Sequence, residues 1–181
     1  MKNIFFILTI AVLFTDCKEK LAGTNGVSYK TPIQYNDYIV SRQTTLMKNI
    51  VAFGKMAQAN PDSAGNMLNV FAKETTGFIL EIKGMPLYKG DSSLRNAGVS
   101  IFTFYKKVFE VYYKQILEIS KSGENGTEAG LSKLNNIVTD LNKEEEEVDK
   151  VFHTAQKDFA EKNKMNLIEN SMQKKLDEMN K

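Results

Sequence analysis

The feature that most constrains the fold is a spacing of three or four positions between apolar residues, repeated along four long segments of the chain. This spacing places apolar side chains on one face of a helix, whereas a half-buried strand requires alternation at every second residue. No stretch of the sequence sustains such alternation. We therefore predict an all-α protein.

Proline, glycine and helix-capping residues separate the four segments. The first covers residues 32 to 59, and Asn60-Pro61 divides it from the second, because Asn caps helix N-termini and Pro is tolerated in a first helical turn. The remaining predicted limits are Gly84 for the second helix, Asp91 or Ser92 to Ser122 for the third, and Thr127 or Glu128 for the start of the fourth.

Four long helices with short connections favour an up-down-up-down antiparallel four-helix bundle over residues 32–163. Phe104 and Phe152 lie in the middle of the most continuous apolar stripes, so we predict that both are core residues. The fourth helix repeats its apolar residues in a 3-4 pattern over several heptads, and Glu145 is the missing member of that series. That series consists of Leu131, Leu134, Val138, Leu141, Val148, Phe152, Ala155 and Phe159. Residues 164–181 are predicted to be a polar C-terminal tail, either a frayed continuation of the fourth helix or a short fifth helix.

The N-terminus has the pattern of a signal peptide. Lys2 is followed by eleven uncharged residues, Ile4 to Phe14. A membrane-spanning helix needs about 17–25 apolar residues, so this run is too short to remain as a transmembrane anchor. We expect residues 1–16 to direct export and to be removed.

The end of this run, Leu13-Phe14-Thr15-Asp16-Cys17, resembles the lipobox of bacterial lipoproteins, although Phe14 and Asp16 differ from the usual residues. The resemblance implies that Cys17 is the lipid attachment site, acylated with a fatty acid such as palmitate, at the N-terminus of the mature chain. Two other interpretations stay open: an inert cysteine just past a conventional cleavage site, and a buried cysteine of a cytosolic helix. The chain has a single Cys, so an intrachain disulfide is excluded.

Lipidation would place the protein in the cell envelope, as an outer membrane lipoprotein. The charged Lys18-Glu19-Lys20 resembles a surface-export signal of some Bacteroidota lipoproteins, and both the cell surface and the periplasmic face stay open. Residues 21–31 are small and polar and contain Gly, so we predict that residues 17–31 form a lipidated N-terminus and flexible tether. The 165 residues left after removal of residues 1–16 fit one domain.

Charged residues in the predicted helices suggest few chemical sites. Glu146, Asp149 and His153 lie near one helical face, but the chain has one histidine, so we predict no metal site and a solvated face. Arg42 and Glu145 interrupt apolar stripes. Either they form a buried pair, or the stripe edges are exposed and both side chains reach water, as we expect for long charged residues.

Composition and motifs exclude several function classes. The chain has 24 basic and 22 acidic residues, a net charge of +2, which predicts no nucleic-acid partner. The sequence has no nucleophile elbow, phosphate-binding loop or zinc-protease motif, so we predict no enzyme activity, no catalytic residues and no cofactor. We expect a non-enzymatic lipoprotein that contacts the membrane through its lipid anchor and a protein partner through its bundle. The alternative is a carrier for a small hydrophobic ligand held between the third and fourth helices.

Overall fold

Five α-helices and one small hairpin form the part of the chain that this computed structural model describes, residues 21–167. The strands are β1 (Leu21–Ala22) and β2 (Ser28–Tyr29), paired antiparallel. The helices are α1 (Pro32–Ala59), α2 (Pro61–Lys83), α3 (Ser93–Lys107), α4 (Tyr113–Lys121) and α5 (Glu128–Lys162). A π-helical turn, Val108–Tyr112, joins α3 to α4, and a 3₁₀ turn, Glu124–Gly126, precedes α5.

Side-chain caps fix three of the helix starts. The Thr31 hydroxyl accepts a hydrogen bond from the Gln34 N–H, the Asn60 carbonyl oxygen accepts one from Ser63, and the Thr127 hydroxyl accepts one from Gly130. Each cap satisfies an N–H that has no partner inside the helix. The predicted boundaries at Asn60 and Thr127 are confirmed.

The helices pack as an antiparallel four-helix bundle, as predicted. Because α3, the π-turn and α4 are continuous, they act as one long helix of the bundle. This helix packs against α2 on one side and α5 on the other, while α1 packs mainly against α2. No helix among residues 21–167 is long and apolar enough to cross a membrane.

The core runs along the interface of α1, α2 and the long third helix. Phe104 and Phe152 are both buried, as predicted. Thr75 is the polar exception among the fully buried side chains, and its hydroxyl donates to the Phe71 carbonyl at 2.7 Å. The fully buried set consists of Tyr35, Phe102, Phe109, Phe152, Ile39, Leu46, Leu68, Ile82, Met85, Ile101 and Thr75.

The prediction of a flexible tether is wrong for residues 21–31. Here the chain forms the hairpin β1–β2 and contacts the C-terminal end of α2, where the Asn25 N–H donates to the Gly84 carbonyl at 3.3 Å. Tyr29 is 2% exposed and anchors the hairpin. A single buried aromatic side chain, supported by hydrogen bonds, orders a segment whose small polar composition suggested a linker. Residues 17–20 lie outside the described part.

The apolar stripe of the fourth bundle helix is buried unevenly along its length. Leu131 is 51% exposed and Val138 44% exposed, whereas Phe152 and Phe159 are buried. Ile137 and Leu141 in the N-terminal half are partly buried against the core, but the fully buried large side chains of α5 lie in its C-terminal half. Helix α5 ends at Lys162, and Lys164 adopts φ 52°, so residues 163–167 do not continue the helix. Residues 168–181, the rest of the predicted tail, lie outside the described residues.

Candidate functional site

The acidic stretch around His153 is solvated. His153 is exposed and its Nε2 lies 3.4 Å from an Asp149 carboxylate oxygen, while Glu146 is exposed. This agrees with the predicted polar face. Within residues 21–167, no three His, Cys, Asp or Glu side chains are grouped closely enough to hold a metal ion.

Arg42 and Glu145 do not pair with each other, and the expectation that both simply reach water is wrong. The Arg42 Nε donates to a Glu81 carboxylate oxygen at 2.6 Å, and its guanidinium lies 3.4 Å from the centre of the Tyr38 ring. Glu145 instead accepts a hydrogen bond from the Tyr105 hydroxyl at 3.2 Å. Each charged residue therefore has its own partner on a neighbouring helix.

Two consecutive carboxylates of α5 contact the long third helix at the end of α3 and at the last residue of the π-turn. The Glu144 carboxylate accepts hydrogen bonds from the Lys107 ammonium at 2.6 Å and the Tyr112 hydroxyl at 2.8 Å. Lys107 ends α3, and Tyr112 is the last residue of the π-turn. Together with the Tyr105–Glu145 bond, these contacts fasten the middle of α5 to the π-turn. We call this set of residues the π-turn clamp.

The pKa values of the two clamp carboxyls are shifted in opposite directions. Burial raises the pKa of Glu145 above its ordinary value, and the nearby Asp149 adds to this effect. Hydrogen bonds from Lys107 and Tyr112 lower the pKa of Glu144. Burial also raises the pKa of Tyr105 and raises that of Tyr113 to about 12, so both tyrosines stay protonated donors near neutral pH.

The π-turn changes which side chains face the core. Its backbone bond runs from the Tyr113 N–H to the Val108 carbonyl, one residue farther than in an α-helix. As a result, Tyr113 turns inward and stacks on Phe53 of α1 at 4.6 Å between ring centres, whereas Val111 is 37% exposed. In an unbroken α-helix Val111 would share a face with Phe104 and Val108, because the three residues follow one another at intervals of four and three.

π-turns occur often at functional sites, and carboxyls with separated pKa values are a common acid–base pattern. In this structure, however, Glu144 and Glu145 are engaged by Lys107, Tyr112 and Tyr105 of the facing helix. The clamp acts as a fastening between helices.

Aromatic rings fill the end of the bundle where the hairpin packs. Tyr35 stacks on Phe159 of α5 at 5.4 Å and lies 5.1 Å from Tyr88, and its hydroxyl donates to the Pro86 carbonyl at 2.8 Å. Tyr29 of the hairpin adds an edge contact to Tyr35 at 5.2 Å. This end of the bundle is therefore tied together by one aromatic cluster that joins α1, α5, the hairpin and the loop after α2.

The hairpin lies so close to the C-terminal end of α2 that position 84 requires glycine. A Cβ on Gly84 would lie 2.9 Å from backbone and side-chain atoms of Asn25. The Asn25 amide donates to the Tyr29 hydroxyl at 2.7 Å and to the Glu81 carbonyl at 3.1 Å. The last turn of α2 and the hairpin thus form one tightly fitted corner.

An open groove of about 510 Å³ lies at the opposite end, between α4 and α5. Ile119 and Ile137 contribute apolar surface, and the ion pair between Lys133 and Glu124, at 2.7 Å, borders it. Leu131 and Val138, the exposed apolar residues of α5, belong to the same half of that helix. This end of the molecule therefore presents apolar surface that no other described element covers.

Sequence reasoning identified Glu145 as an interruption of the apolar stripe but missed its partners. Helical spacing alone does not distinguish Tyr105 and Tyr112 from ordinary core aromatics, and Glu144 is one of four consecutive glutamates. The predicted lipid attachment site, Cys17, lies outside the described residues. No family model, curated protein or solved structure matches this chain.

Proposed function

We propose that this chain is a membrane-anchored lipoprotein of the bacterial cell envelope that presents its helical bundle as a non-enzymatic interaction module. The observation that carries the proposal is the position of Cys17, the only cysteine, directly after the apolar run 4–14 and four residues before the strand Leu21–Ala22. An acyl chain at this position would hold the bundle at a membrane, since each buried acyl CH₂ contributes about 0.8 kcal/mol.

The surface that best suits a protein partner is the N-terminal half of α5 with the adjoining groove. Leu131 and Val138 are about half exposed at helical spacing along one edge of this half. The open groove lies along another edge of the same half, where Ile137 contributes apolar surface. An amphipathic segment of another envelope protein can place apolar side chains against such a face. The ion pair between Lys133 and Glu124 would lie at the edge of this contact.

Metabolic labelling with a fatty-acid analogue tests the anchor. We expect the wild-type protein to be labelled, to lack residues 1–16 and to fractionate with membranes, whereas Cys17→Ser should be unlabelled. Equal labelling of the two proteins, or a purified protein that retains residues 1–16, would show that Cys17 is not the attachment site.

Site-specific photocrosslinking in intact cells tests the interaction surface. A photoreactive amino acid at position 138 should give a discrete crosslinked product that Leu131→Lys weakens. Position 70 is the matched control, because Val70 is an exposed valine, 63% accessible, in the middle of α2. The same product from both positions would argue against a partner at α5.

The groove also supports the alternative function, a carrier for a small hydrophobic ligand, since it lies between the third and fourth helices of the bundle. Its openness and its charged border suit a segment of a partner better than an enclosed apolar molecule. Titration with a fluorescent fatty acid separates the two. One-to-one binding that Ile119→Glu abolishes would favour the carrier, and weak binding that Ile119→Glu does not change would favour the interaction module.

A further inference from the structure

The docked hairpin shortens the distance between the anchor and the folded body. A free chain over residues 17–31 would span at most about 50 Å, at 3.3–3.6 Å per residue. Leu21 belongs to the docked hairpin, and the four steps of chain from Cys17 to Leu21 can reach at most about 14 Å. If Cys17 is lipidated, the hairpin end of the bundle cannot leave the membrane surface by more than this distance.

Charge is distributed unequally between the two ends of the bundle. The hairpin end consists of the connections 21–31, 84–92 and 163–167, with one helical turn of each adjoining helix. These stretches contain six basic and three acidic residues: Lys30, Lys83, Lys89, Arg95, Lys162 and Lys164 against Glu81, Asp91 and Glu161. The opposite end, 56–64 and 118–131, contains one basic and four acidic residues: Lys121 against Asp62, Glu118, Glu124 and Glu128.

The basic residues of the hairpin end are largely available to a charged surface. Lys30, Lys83, Lys89 and Lys164 are exposed, and none of them forms an ion pair with another residue of the described range, 21–167. Most of the acidic residues beside them are already engaged, since Glu81 pairs with Arg42 and Asp91 with Lys162 at 2.7 Å.

Exposed apolar side chains accompany these lysines. Leu87 is 43% exposed in the loop after α2, Ile33 is 53% exposed in the first turn of α1, and Leu167 is 43% exposed after α5. Surfaces that bind the membrane interface combine these two kinds of residue. Their apolar side chains enter the headgroup layer, and the surrounding lysines reach the lipid phosphate groups.

We propose that the hairpin end docks onto an anionic membrane surface and holds the bundle upright. This inference rests on the proposed lipid anchor, which keeps that end within reach of the membrane. The lysines of the hairpin end contact anionic lipid headgroups, and the acidic opposite end is repelled. Because α5 has 35 residues at 1.5 Å each, it extends about 50 Å, so the α4–α5 groove is presented far from the membrane.

Fluorescence quenching in vesicles tests this orientation. The full chain is purified from cells with its natural N-terminus, and mass spectrometry of Cys17 reports the anchor independently of docking. An environment-sensitive fluorophore is placed at Leu87→Cys in one protein and at Asn125→Cys, an exposed position of the opposite end, in another. The vesicles contain phosphatidylcholine with or without phosphatidylglycerol, plus a headgroup-nitroxide lipid as quencher.

We expect strong quenching at position 87 and little at position 125 in phosphatidylglycerol vesicles. The difference should shrink in pure phosphatidylcholine and at high salt, where the screening length falls to about 3 Å at 1 M. The triple variant Lys83→Glu, Lys89→Glu, Lys164→Glu should lose the difference. A matched triple, Lys48→Glu, Lys73→Glu, Lys143→Glu, makes the same charge change on exposed helix sides and should keep it.

The outcomes of this experiment are separable. An acylated Cys17 with equal quenching at both positions would overturn docking while leaving the anchor intact. Quenching at position 87 that neither salt nor the first triple variant reduces would overturn the role of the lysines. An unmodified Cys17 would refute the proposed function itself. Thermal melting of both triple variants confirms that the substituted proteins remain folded.

Discussion

The two halves of α5 have the same apolar spacing but opposite surroundings. In the C-terminal half, residues 145–162, Phe152 and Phe159 are 2% and 5% exposed. In the N-terminal half, residues 128–144, Leu131 and Val138 are about half exposed. The difference teaches that a helical apolar stripe is buried only where another element lies opposite it.

The structural cause of this difference is visible in the partners of each half. The C-terminal half contacts the aromatic cluster through Phe159 and reaches α1 through a 2.8 Å hydrogen bond from Gln156 to Asn36. The N-terminal half faces α4, which has only nine residues, and the open groove. The π-turn clamp at Glu144 and Glu145 marks the border between the halves.

The largest predicted loss of stability comes from removing a buried ring in the C-terminal half of α5. Phe152→Ala should lower the free energy of unfolding by about 3–5 kcal/mol, because it removes a buried ring and leaves a cavity. Phe104→Ala, on the facing helix, should behave similarly, since Phe104 is 5% exposed. Urea denaturation followed by circular dichroism measures both. A loss below about 1 kcal/mol for either variant would contradict its core assignment.

The second-largest loss of stability is expected at Gly130, near the start of the N-terminal half of α5. Gly130 is buried, and a Cβ there would overlap the Glu124 backbone carbonyl, so Gly130→Ala should cost about 1–3 kcal/mol by overpacking. Gly126→Ala is the matched control, because a Cβ at Gly126 meets no atom within 4 Å. Hydrogen exchange should show opening of residues 124–135 in the first variant alone. Equal exchange in both variants would contradict this close contact.

The two carboxyls of the π-turn clamp should make stability depend on pH with opposite signs. The pKa of Glu145 is raised in the folded protein, so its contribution to stability is present below pH 4.5 and is lost as pH rises through the folded pKa. Compared with Glu145→Gln, the wild type should therefore lose stability as pH increases from acid to neutral. Melting temperatures across this range measure the difference.

Glu144 should behave in the reverse way, because its pKa is lowered. Its contribution is present above pH 4.5 and is lost as pH falls through the folded pKa. Glu144→Gln should therefore destabilise the protein at neutral pH, and the deficit should shrink in acid. If both variants show the same sign, the assignment of partners in the clamp is wrong.

A smaller effect is expected at His153, within the buried half but on its solvated face. His153→Ala should change stability by less than about 1 kcal/mol, since the side chain is exposed and its one acidic neighbour, Asp149, lies at 3.4 Å. Thermal unfolding compared with Phe152→Ala tests this. A loss as large as that of Phe152→Ala would assign His153 a specific structural role.

The smallest effect is expected for Leu131→Ala in the exposed half. Its stability should change by less than about 0.5 kcal/mol, because little apolar surface is withdrawn from water at this position. Denaturation of the purified protein measures this change, whereas the photocrosslinking described above reports on its contact with a partner. A loss of several kcal/mol would mean that the N-terminal half of α5 is covered in solution.

The sequence by itself determined the helical class, the order of the long helices and several boundaries. Asn60 and Thr127 end up as caps because their short polar side chains can satisfy free N–H groups locally. Phe104 and Phe152 could be assigned to the core because each lies inside a long apolar stripe. These features depend on neighbours within a few positions of the chain.

Only the tertiary structure decided the features that depend on distant partners. The π-turn directs Tyr113 toward Phe53, and the burial of Tyr29 orders the hairpin. Glu145 accepts a hydrogen bond from Tyr105 rather than pairing with Arg42. Periodicity reports which side chains share a face of a helix, but it does not report what lies opposite that face. The burial of one half of α5 and the exposure of the other were therefore decided by the packing of the whole bundle.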